Sequence, residues 1–215
     1  LAVLEQVAKT FSSENCPEFM AQEVAATWQE YVDYQDIRVL EIGMDLAYFD
    51  HLKRLAKDLG HPLLESLVTL TIDCYNVITV ERALSLKKPR SFMKQLLSDA
   101  GTLSAGEVIQ HVEQGHLISW FQQVNPLPYD VELTRYEEQM RAGRVTAETV
   151  EYLEHVIKYR ILEQASFETD GPLPLARYLF GKELEVKNLR LVLTGLDNQL
   201  PIDKIKERMR PIYGQ

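Results

Sequence analysis

The sequence predicts an all-α protein. Apolar side chains recur every three or four residues along most of the chain, as they do on the buried face of an amphipathic helix. Good helix formers such as Ala, Leu and Glu fill these periodic segments, whereas the nine prolines and ten glycines fall mostly between them. With 46% hydrophobic residues, the 215-residue chain has enough apolar surface for one sizeable core. The one candidate strand, residues 37–42, is short and continuous with helical sequence.

The N-terminal part predicts three helices. Their apolar residues follow the helical period, and Trp28 is expected to anchor one helix against another. Gly60 is expected to close the third helix, because glycine readily adopts the left-handed backbone conformation found at helix ends. The three predicted helices cover residues 1–11, 17–34 and 36–60, with a turn at residues 12–16.

The longest predicted helix begins at Pro62 and runs to about residue 84. Proline is tolerated in the first turn, because an amide hydrogen there would have no partner within the helix. Cys74 lies among the apolar residues of this helix and is expected to be a small core residue rather than a nucleophile. A second row of residues on the same helix is polar. We expect its side chains to form hydrogen bonds with neighbouring helices, and the alternative is that they are exposed to solvent. The apolar residues are Leu63, Leu67, Leu70, Cys74 and Ile78, and the polar ones are Thr69, Asp73, Asn76 and Arg82.

Shorter helices follow, and the chain ends in a helix pair. Thr146 is the expected N-cap of a helix over residues 146–163. In the final pair, Gly195 is expected to end the first helix, and Asn198 to cap the second. The Leu-rich face of the first of these helices is expected to pack on the rest of the protein. The other predicted helices cover residues 91–98, 104–111, 116–124, 129–140, 172–194 and 201–210, and the Leu-rich face is Leu175, Leu179, Val186, Leu189 and Leu193.

The charge balance argues against two classes of partner. A net charge of -9 and a pI near 5.1 disfavour nucleic acid, which is bound largely through clustered Lys and Arg, and equally disfavour an anionic lipid surface. No apolar run near eighteen residues is found, so no membrane span is expected. The two cysteines, Cys16 and Cys74, fit a reducing compartment. Because the chain begins with Leu1, we expect it to be a piece of a longer protein.

No motif predicts catalysis, and we expect no catalytic, cofactor or metal site. Glu113 and His116 have the E-x-x-H spacing of di-iron bundles, but such a centre needs two of these motifs and two further glutamates. The pairs Glu107 and His111, and Glu151 and His155, have the spacing of ordinary surface pairs on a helix. The nucleotide-binding pattern G-x-x-x-x-G-K-[ST] is absent, which argues against a nucleotide-binding role.

The C-terminal forty residues carry a specific signature. The pattern E-x-x-N-L-R-x-x-L-x-G is followed by P-I-x-x-I-x-E-R in a short helix. This signature resembles the C subunits of the bacterial and archaeal V-type rotary ATPases, which are relatives of the eukaryotic vacuolar d subunits. The residues that carry it are Glu185, Asn188, Leu189, Arg190, Leu193 and Gly195.

An upstream segment resembles the repeat unit of the same family. Its first helix carries D-x-x-[YF]-[YF], and its second, long helix carries I-D-x-x-N followed by an arginine. Laying residues 45–84 over residues 154–192 brings the turn glycines, the prolines after them and the late arginines close to register. The sequence therefore predicts two helical repeat units, residues 1–103 and 104–215, packed as one continuous body. The residues that match the repeat unit are Asp45, Tyr48, Phe49, Ile72, Asp73, Asn76 and Arg82. In the overlay, Gly60 aligns with Gly171, Pro62 with Pro172 and Pro174, and Arg82 with Arg190.

The resemblance implies an internally repeated helical body, funnel-shaped and pseudo-threefold in full-length relatives, with two of three repeat units present here. It implies a non-catalytic central-rotor subunit that couples the central stalk to the membrane rotor ring for ATP-linked proton or sodium transport. The partners would be the central-stalk subunits and the ring. The protein would be cytoplasmic and peripheral to the membrane, with neither a transmembrane segment nor bound nucleic acid. A generic all-helical adaptor that binds partner helices is the alternative.

The polar residues that recur in both units are expected to serve architecture. No catalytic partner accompanies them, so we expect hydrogen bonds across helices, and Arg190→Ala would then lower the free energy of unfolding by about 1–3 kcal/mol. These candidate residues are Asp73, Asn76, Arg82, Glu185, Asn188 and Arg190.

Overall fold

The computed structural model describes Thr10 and residues 17–124, 131–142 and 145–214. The all-α prediction is confirmed: the described residues form ten helices and no strand. The predicted helix over residues 1–11, the turn after it and Cys16 lie outside the described residues, except for Thr10. The helices are α1 (Glu18–Tyr34), α2 (Ile37–Leu59), α3 (Pro62–Ser85), α4 (Arg90–Leu96), α5 (Ala105–Glu113), α6 (Leu117–Val124), α7 (Val131–Arg141), α8 (Ala147–Glu163), α9 (Leu173–Asp197) and α10 (Ile202–Glu207).

Most helix ends follow their capping residues. Asp36 caps α2 by accepting a hydrogen bond from the amide of Arg38, and Gly60 ends that helix with a φ of 64°. Thr146 caps α8 through the amide of Thr149. Ser104 and Glu107 form a reciprocal capping box at the start of α5. These local signals lie in the sequence itself, which is why the predicted boundaries are close to the observed ones.

The predicted end of α9 at Gly195 is wrong, and so is the predicted cap of α10. The helix continues to Asp197, and the left-handed residue after it is Gln199, with a φ of 56°. Gly195 is buried because Ile205 packs directly on it, and a Cβ there would lie 2.7 Å from the Ile205 Cδ1 atom. The glycine therefore allows α10 to approach α9 closely. The side chain of Asn198 donates back to the carbonyl of Thr194 and does not cap α10.

Helix α3 lies at the centre of the protein. It packs on α8, α5 and α2, and its apolar residues form one core with those of α8 and of the shorter helices between them. Ten residues of α3 are buried, two of which are the polar Asp73 and Asn76. The buried residues of α3 are Leu67, Leu70, Ile72, Asp73, Cys74, Asn76, Val77, Ile78, Val80 and Ala83.

The expectation that no segment could span a membrane needs correction for α3. By length and mean hydropathy, 1.4 over an 18-residue window, this helix is long and apolar enough to cross a bilayer. Its apolar residues instead pack against other helices of the protein, as expected for the central helix of a helical core. Burial on several sides requires apolar residues around most of a helix, and this packing accounts for the apolar composition of α3.

The Leu-rich face of α9 does not pack on the body as the sequence predicts. The side of α9 that meets α8 and α10 carries Leu184, Asn188 and Gly195, all of which are buried. The opposite side is exposed and carries a row of large apolar residues, which we name the leucine stripe. The leucine stripe consists of Leu175, Leu179, Val186, Leu189, Leu193 and Leu196 of α9 and Leu200 in the turn after it.

Cys74→Asp should be severely destabilising. Cys74 is 1% exposed, and burial raises the pKa of its thiol well above the usual range, so the site does not accommodate charge. We expect the free energy of unfolding to fall by about 4 kcal/mol or more, because a carboxylate without a partner would be buried. Urea denaturation monitored by circular dichroism measures the loss. Cys74→Ala is the control and should cost clearly less, so an equal loss in both variants would contradict this account.

Candidate functional site

Two matching hydrogen-bond arrangements fasten the long helices, and the first is built on Asn76 of α3. Its Nδ2 atom donates to the carbonyl of Ser98 at 2.8 Å, and its Oδ1 atom accepts from the amide of Ser98 at 3.0 Å. Asn76 is fully buried and Ser98 is 3% exposed. The asparagine amide therefore satisfies both backbone groups of a buried loop residue, which fixes the loop after α4 to the middle of α3. We call this arrangement an amide clamp.

The second amide clamp is built on Asn188 of α9. Its Nδ2 atom donates to the carbonyl of Arg210 at 3.0 Å, and its Oδ1 atom accepts from the amide of Arg210 at 2.8 Å. Asn188 lies 112 residues after Asn76, and Arg210 lies 112 residues after Ser98. The same side-chain type thus bonds the same backbone groups after the same interval along the chain.

The turns between the long and short helices match at this interval as well. Lys87 and Gln199 are both in the left-handed region, with φ values of 54° and 56°. The amide after each of them bonds a carbonyl five residues earlier, from Lys88 to Ala83 and from Leu200 to Gly195. Pro89 and Pro201 then precede α4 and α10. At the 112-residue interval, Arg82 corresponds to Thr194. Arg82 and Arg190 are therefore not equivalent positions in this alignment, in contrast to the alignment predicted from the sequence. A common helix order for the two whole units stays a prediction.

Asp73 forms a second hydrogen bond to the loop after α4, the loop that contains Ser98. It is 1% exposed, and its Oδ1 atom accepts a hydrogen bond of 2.7 Å from the amide of Thr102. Burial raises the pKa of this carboxyl group, partly opposed by the hydrogen bond from Thr102. A Cβ at Gly101 would lie 2.3 Å from Oδ1, so glycine is what lets the loop come so close. The Oδ2 atom is buried without a partner among the described residues.

The three other candidates lie at the surface. Arg82 forms an ion pair with Glu151 of α8, and its side chain is 61% exposed. Glu185 pairs with Lys182 on its own helix at 2.8 Å. Arg190 is exposed and has neither a hydrogen bond nor an ion pair within the described part of the chain. Of the six candidates, the structure thus brings Asp73, Asn76 and Asn188 into buried contacts with other segments, joins Arg82 to another helix at the surface, and leaves Glu185 and Arg190 without a partner on another helix.

His155 of α8 is buried, although its i, i+4 spacing from Glu151 predicts a surface pair. It is 8% exposed, and its Nε2 atom lies 2.6 Å from the Nζ atom of Lys187 on α9. Burial lowers the pKa of His155 to about 3, and the nearby positive charges of Lys187, Arg210 and Lys158 act in the same direction. The ring is therefore neutral at pH 7, and its Nε2 atom accepts a hydrogen bond from the ammonium group of Lys187. The signal in the sequence was its position beside the apolar residues Val156 and Ile157, and not its spacing from Glu151.

The acidic and histidine side chains at E-x-x-H or i, i+4 spacing, for which no metal site is expected, have partners within the protein. Glu113 pairs with Arg90, and Glu107 accepts from Ser104 within the capping box. The Nδ1 atom of His111 lies 3.2 Å from the carbonyl oxygen of His116. In residues 17–124, 131–142 and 145–214, no group of three or more His, Cys, Asp or Glu side chains is placed to hold a metal ion.

Removing an amide clamp should destabilise the protein more than removing Arg190. Asn76→Ala leaves the amide and carbonyl of Ser98 buried without partners, and we expect a loss of about 3 kcal/mol in the free energy of unfolding. Asn188→Ala should cost about 1–2 kcal/mol, because Arg210 is only half-buried. The matched control Arg190→Ala should cost less than about 0.5 kcal/mol, which replaces the larger value expected from the sequence. Thermal and urea unfolding measure all three, and a loss for Arg190→Ala equal to that for Asn76→Ala would contradict the assignment.

His155 should make the stability of the protein depend on pH. The folded state keeps this ring neutral down to about pH 3, whereas the unfolded chain binds a proton below the ordinary value of 6.5. Unfolding therefore takes up a proton between these values, so stability is full above pH 6.5 and falls as the pH drops, by at most about 1.4 kcal/mol per pH unit. His155→Gln removes the titration but keeps an acceptor for Lys187. The stability difference between the two proteins, measured from pH 4.5 to 7.5, isolates the histidine. Parallel pH profiles would contradict a buried neutral ring.

Comparison with known proteins identifies the family of the chain. The family model described as ATP synthase (C/AC39) subunit matches residues 2–208. The chain is similar to the C subunit of the V-type sodium ATPase of Enterococcus hirae, with 27% identity over 216 residues. That match covers 99% of this chain and 64% of the relative, so the chain spans less than two thirds of the relative's length. No solved structure matches the chain. Since the family model covers nearly the whole sequence, the chain belongs to the ATP synthase (C/AC39) subunit family.

Proposed function

We propose that this chain is part of a non-catalytic central-rotor subunit of a V-type rotary ATPase or ATP synthase. In this role it couples the central stalk to the membrane rotor ring, and so links ATP turnover in the soluble head to proton or sodium transport. The observation that carries the proposal is the family match over residues 2–208. The partners are the stalk subunits and the ring, and the protein is peripheral to the membrane through the complex.

The construction of the two long helices supports a mechanical role. Helices α3 and α9 have 24 and 25 residues and are therefore about 36 Å long. Each is fastened in its middle to a distant loop by an amide clamp, at Asn76 and at Asn188. Such cross-links resist sliding of one segment past another, because sliding would leave buried amides without partners. Torque transfer requires this kind of stiffness and does not require a reactive group.

The adaptor that binds partner helices remains the second candidate, and the exposed leucine stripe of α9 favours it. Exposed apolar rows of this size usually mark a contact surface. A groove for a helical peptide would present similar residues at helical spacing. The two candidates differ in what the cell loses without the protein: the adaptor predicts intact ATP-driven ion transport, whereas the rotor role predicts its loss.

Deleting the gene should uncouple ATP hydrolysis from ion transport. In inverted membrane vesicles from the deletion strain, we expect ATP-driven ion uptake to fall at least about tenfold, while the detached soluble heads keep their ATPase activity. A pH-sensitive dye and radioactive sodium distinguish the two ions. The wild-type gene and the control variant Arg190→Ala should restore uptake, and Asn76→Ala should restore less. Normal ATP-driven uptake in the deletion strain would contradict the proposal and favour the adaptor.

A further inference from the structure

The second amide clamp does not explain the side chain of Arg210. The clamp uses only the backbone amide and carbonyl of Arg210. At the matching position of the first clamp, 112 residues earlier, the residue is Ser98, whose backbone makes the same two bonds. A small side chain is therefore sufficient for the architecture, and the long guanidinium side chain of Arg210 is an addition of the second unit.

The guanidinium group of Arg210 has no acidic partner. Its Nη1 atom donates to the carbonyl of Arg208 at 3.0 Å, whereas its Nε atom is buried and has no acceptor among the described residues. Within the described ranges, no carboxylate forms an ion pair with this arginine. A buried N–H group without an acceptor is unfavourable, particularly on a charged side chain. An oxygen acceptor from a bound molecule would remove this cost.

Arg208 and Arg210 line a cavity of about 320 Å³ between α7, α8, α9 and α10. Tyr136 of α7, Tyr152 of α8 and Leu191 of α9 line it as well, and the ring centroids of the two tyrosines are 5.4 Å apart. This volume lies at the lower end of the range for small-molecule sites. The cavity thus combines two arginines with an aromatic and apolar wall.

We propose that this cavity binds a phosphate group, either free or carried by a small organic molecule, through Arg210 and Arg208. The planar guanidinium group presents N–H donors in a fixed arrangement that matches the oxygens of a phosphate group. One such oxygen supplies the acceptor for the Nε atom of Arg210. The organic part of a larger ligand lies against Tyr136 and Leu191. The inference concerns a ligand and not a partner subunit, so it does not rest on the proposed function.

The three glutamates that line the cavity do not neutralise Arg210. Each of them has a positive partner of its own, so among these residues Arg210 keeps the uncompensated charge. The carboxylate that faces Arg208 belongs to Glu148, which is 78% exposed, and water therefore screens their attraction. The pairs are Glu151 with Arg82, Glu207 with Lys204, and Glu148 with Arg208.

His155 provides a second buried donor close to Arg210. It lies three residues after Tyr152, on the next turn of α8. Its Nε2 atom accepts from Lys187, so the proton of the neutral ring is on Nδ1, which is buried without a partner among the described residues. The positive charge of Arg210 lies near enough to help lower the pKa of His155. A phosphate group beside Arg210 offsets the positive charge around this ring.

Isothermal titration calorimetry with phenyl phosphate, at constant ionic strength, tests the site on the purified protein. Arg210→Met removes the guanidinium group but keeps the backbone clamp, and we expect the affinity to fall at least about tenfold. Arg208→Gln should lower it by about threefold or more. The side chain of Arg208 is 61% exposed, so this variant keeps its fold even if Arg210→Met does not. The matched control Arg190→Ala should leave the affinity within about twofold of the original protein.

Inorganic phosphate and phenol separate the contributions to binding. Phenyl phosphate binding at least about fivefold more tightly than inorganic phosphate identifies an organic phosphate as the ligand, whereas equal affinities identify free phosphate. Both results support the proposal.

Four results would overturn it. The first is no heat of binding with either phosphate probe up to about 10 mM. The second is phenol binding as tightly as phenyl phosphate, since the phosphate group would then contribute nothing. The third is an equal loss of affinity in Arg190→Ala and Arg210→Met, which would show attraction to surface charge in general. The fourth is an unchanged affinity in Arg208→Gln.

Discussion

The structure depends on the burial of α3. A helix covered by α8 on one side and by α2 and α5 on others buries polar groups at a cost in free energy, because each loses its hydrogen bonds to water. Asn76 offsets this cost by bonding the backbone of Ser98 in the loop after α4, and Asp73 offsets it in part through the bond from the amide of Thr102 to its Oδ1 atom. The Oδ2 atom of Asp73 has no partner among the described residues. The loop is therefore ordered by the side chains of the central helix. The hydrogen bonds that satisfy the buried polar side chains of α3 thus also fix the path of the chain after α4.

Helix α8 joins the two halves of the chain. It packs on α3 with one side and on α9 with another, so the two clamped helices are held through one shared neighbour. The contact with α3 is mainly apolar, whereas the contact with α9 includes the polar pair of His155 and Lys187. Protonation of this buried histidine is unfavourable, because three positive charges lie near it. The contact of α8 with α9 is therefore more sensitive to acid than its contact with α3. Because α8 packs on both α3 and α9, it fixes the two long helices relative to each other.

Sequence by itself determined the helices and the family. Capping residues, prolines and the three-to-four-residue period are local signals, and they gave the order and approximate bounds of the helices, with Asp36, Gly60 and Thr146 at the expected ends. The C-terminal signature identified the family that the comparison then showed. The sequence also singled out Asn76 and Asn188 as counterparts and predicted hydrogen bonds between helices, whereas the structure pairs both asparagines with the backbone of loop residues.

Only the tertiary structure decided which faces are covered. The same apolar spacing occurs on α3 and α9, yet one face is buried and the other exposed, because burial depends on whether a neighbour is present and not on the helix itself. Gly195 has the local properties of a helix end, but the approach of Ile205 gives it a place inside the helix. His155 and Glu151 have the spacing of a surface pair, but the position of α9 buries the histidine and gives it Lys187 as a partner. Local periodicity therefore fixes what a residue is able to contact, and the packing of distant segments determines what it does contact.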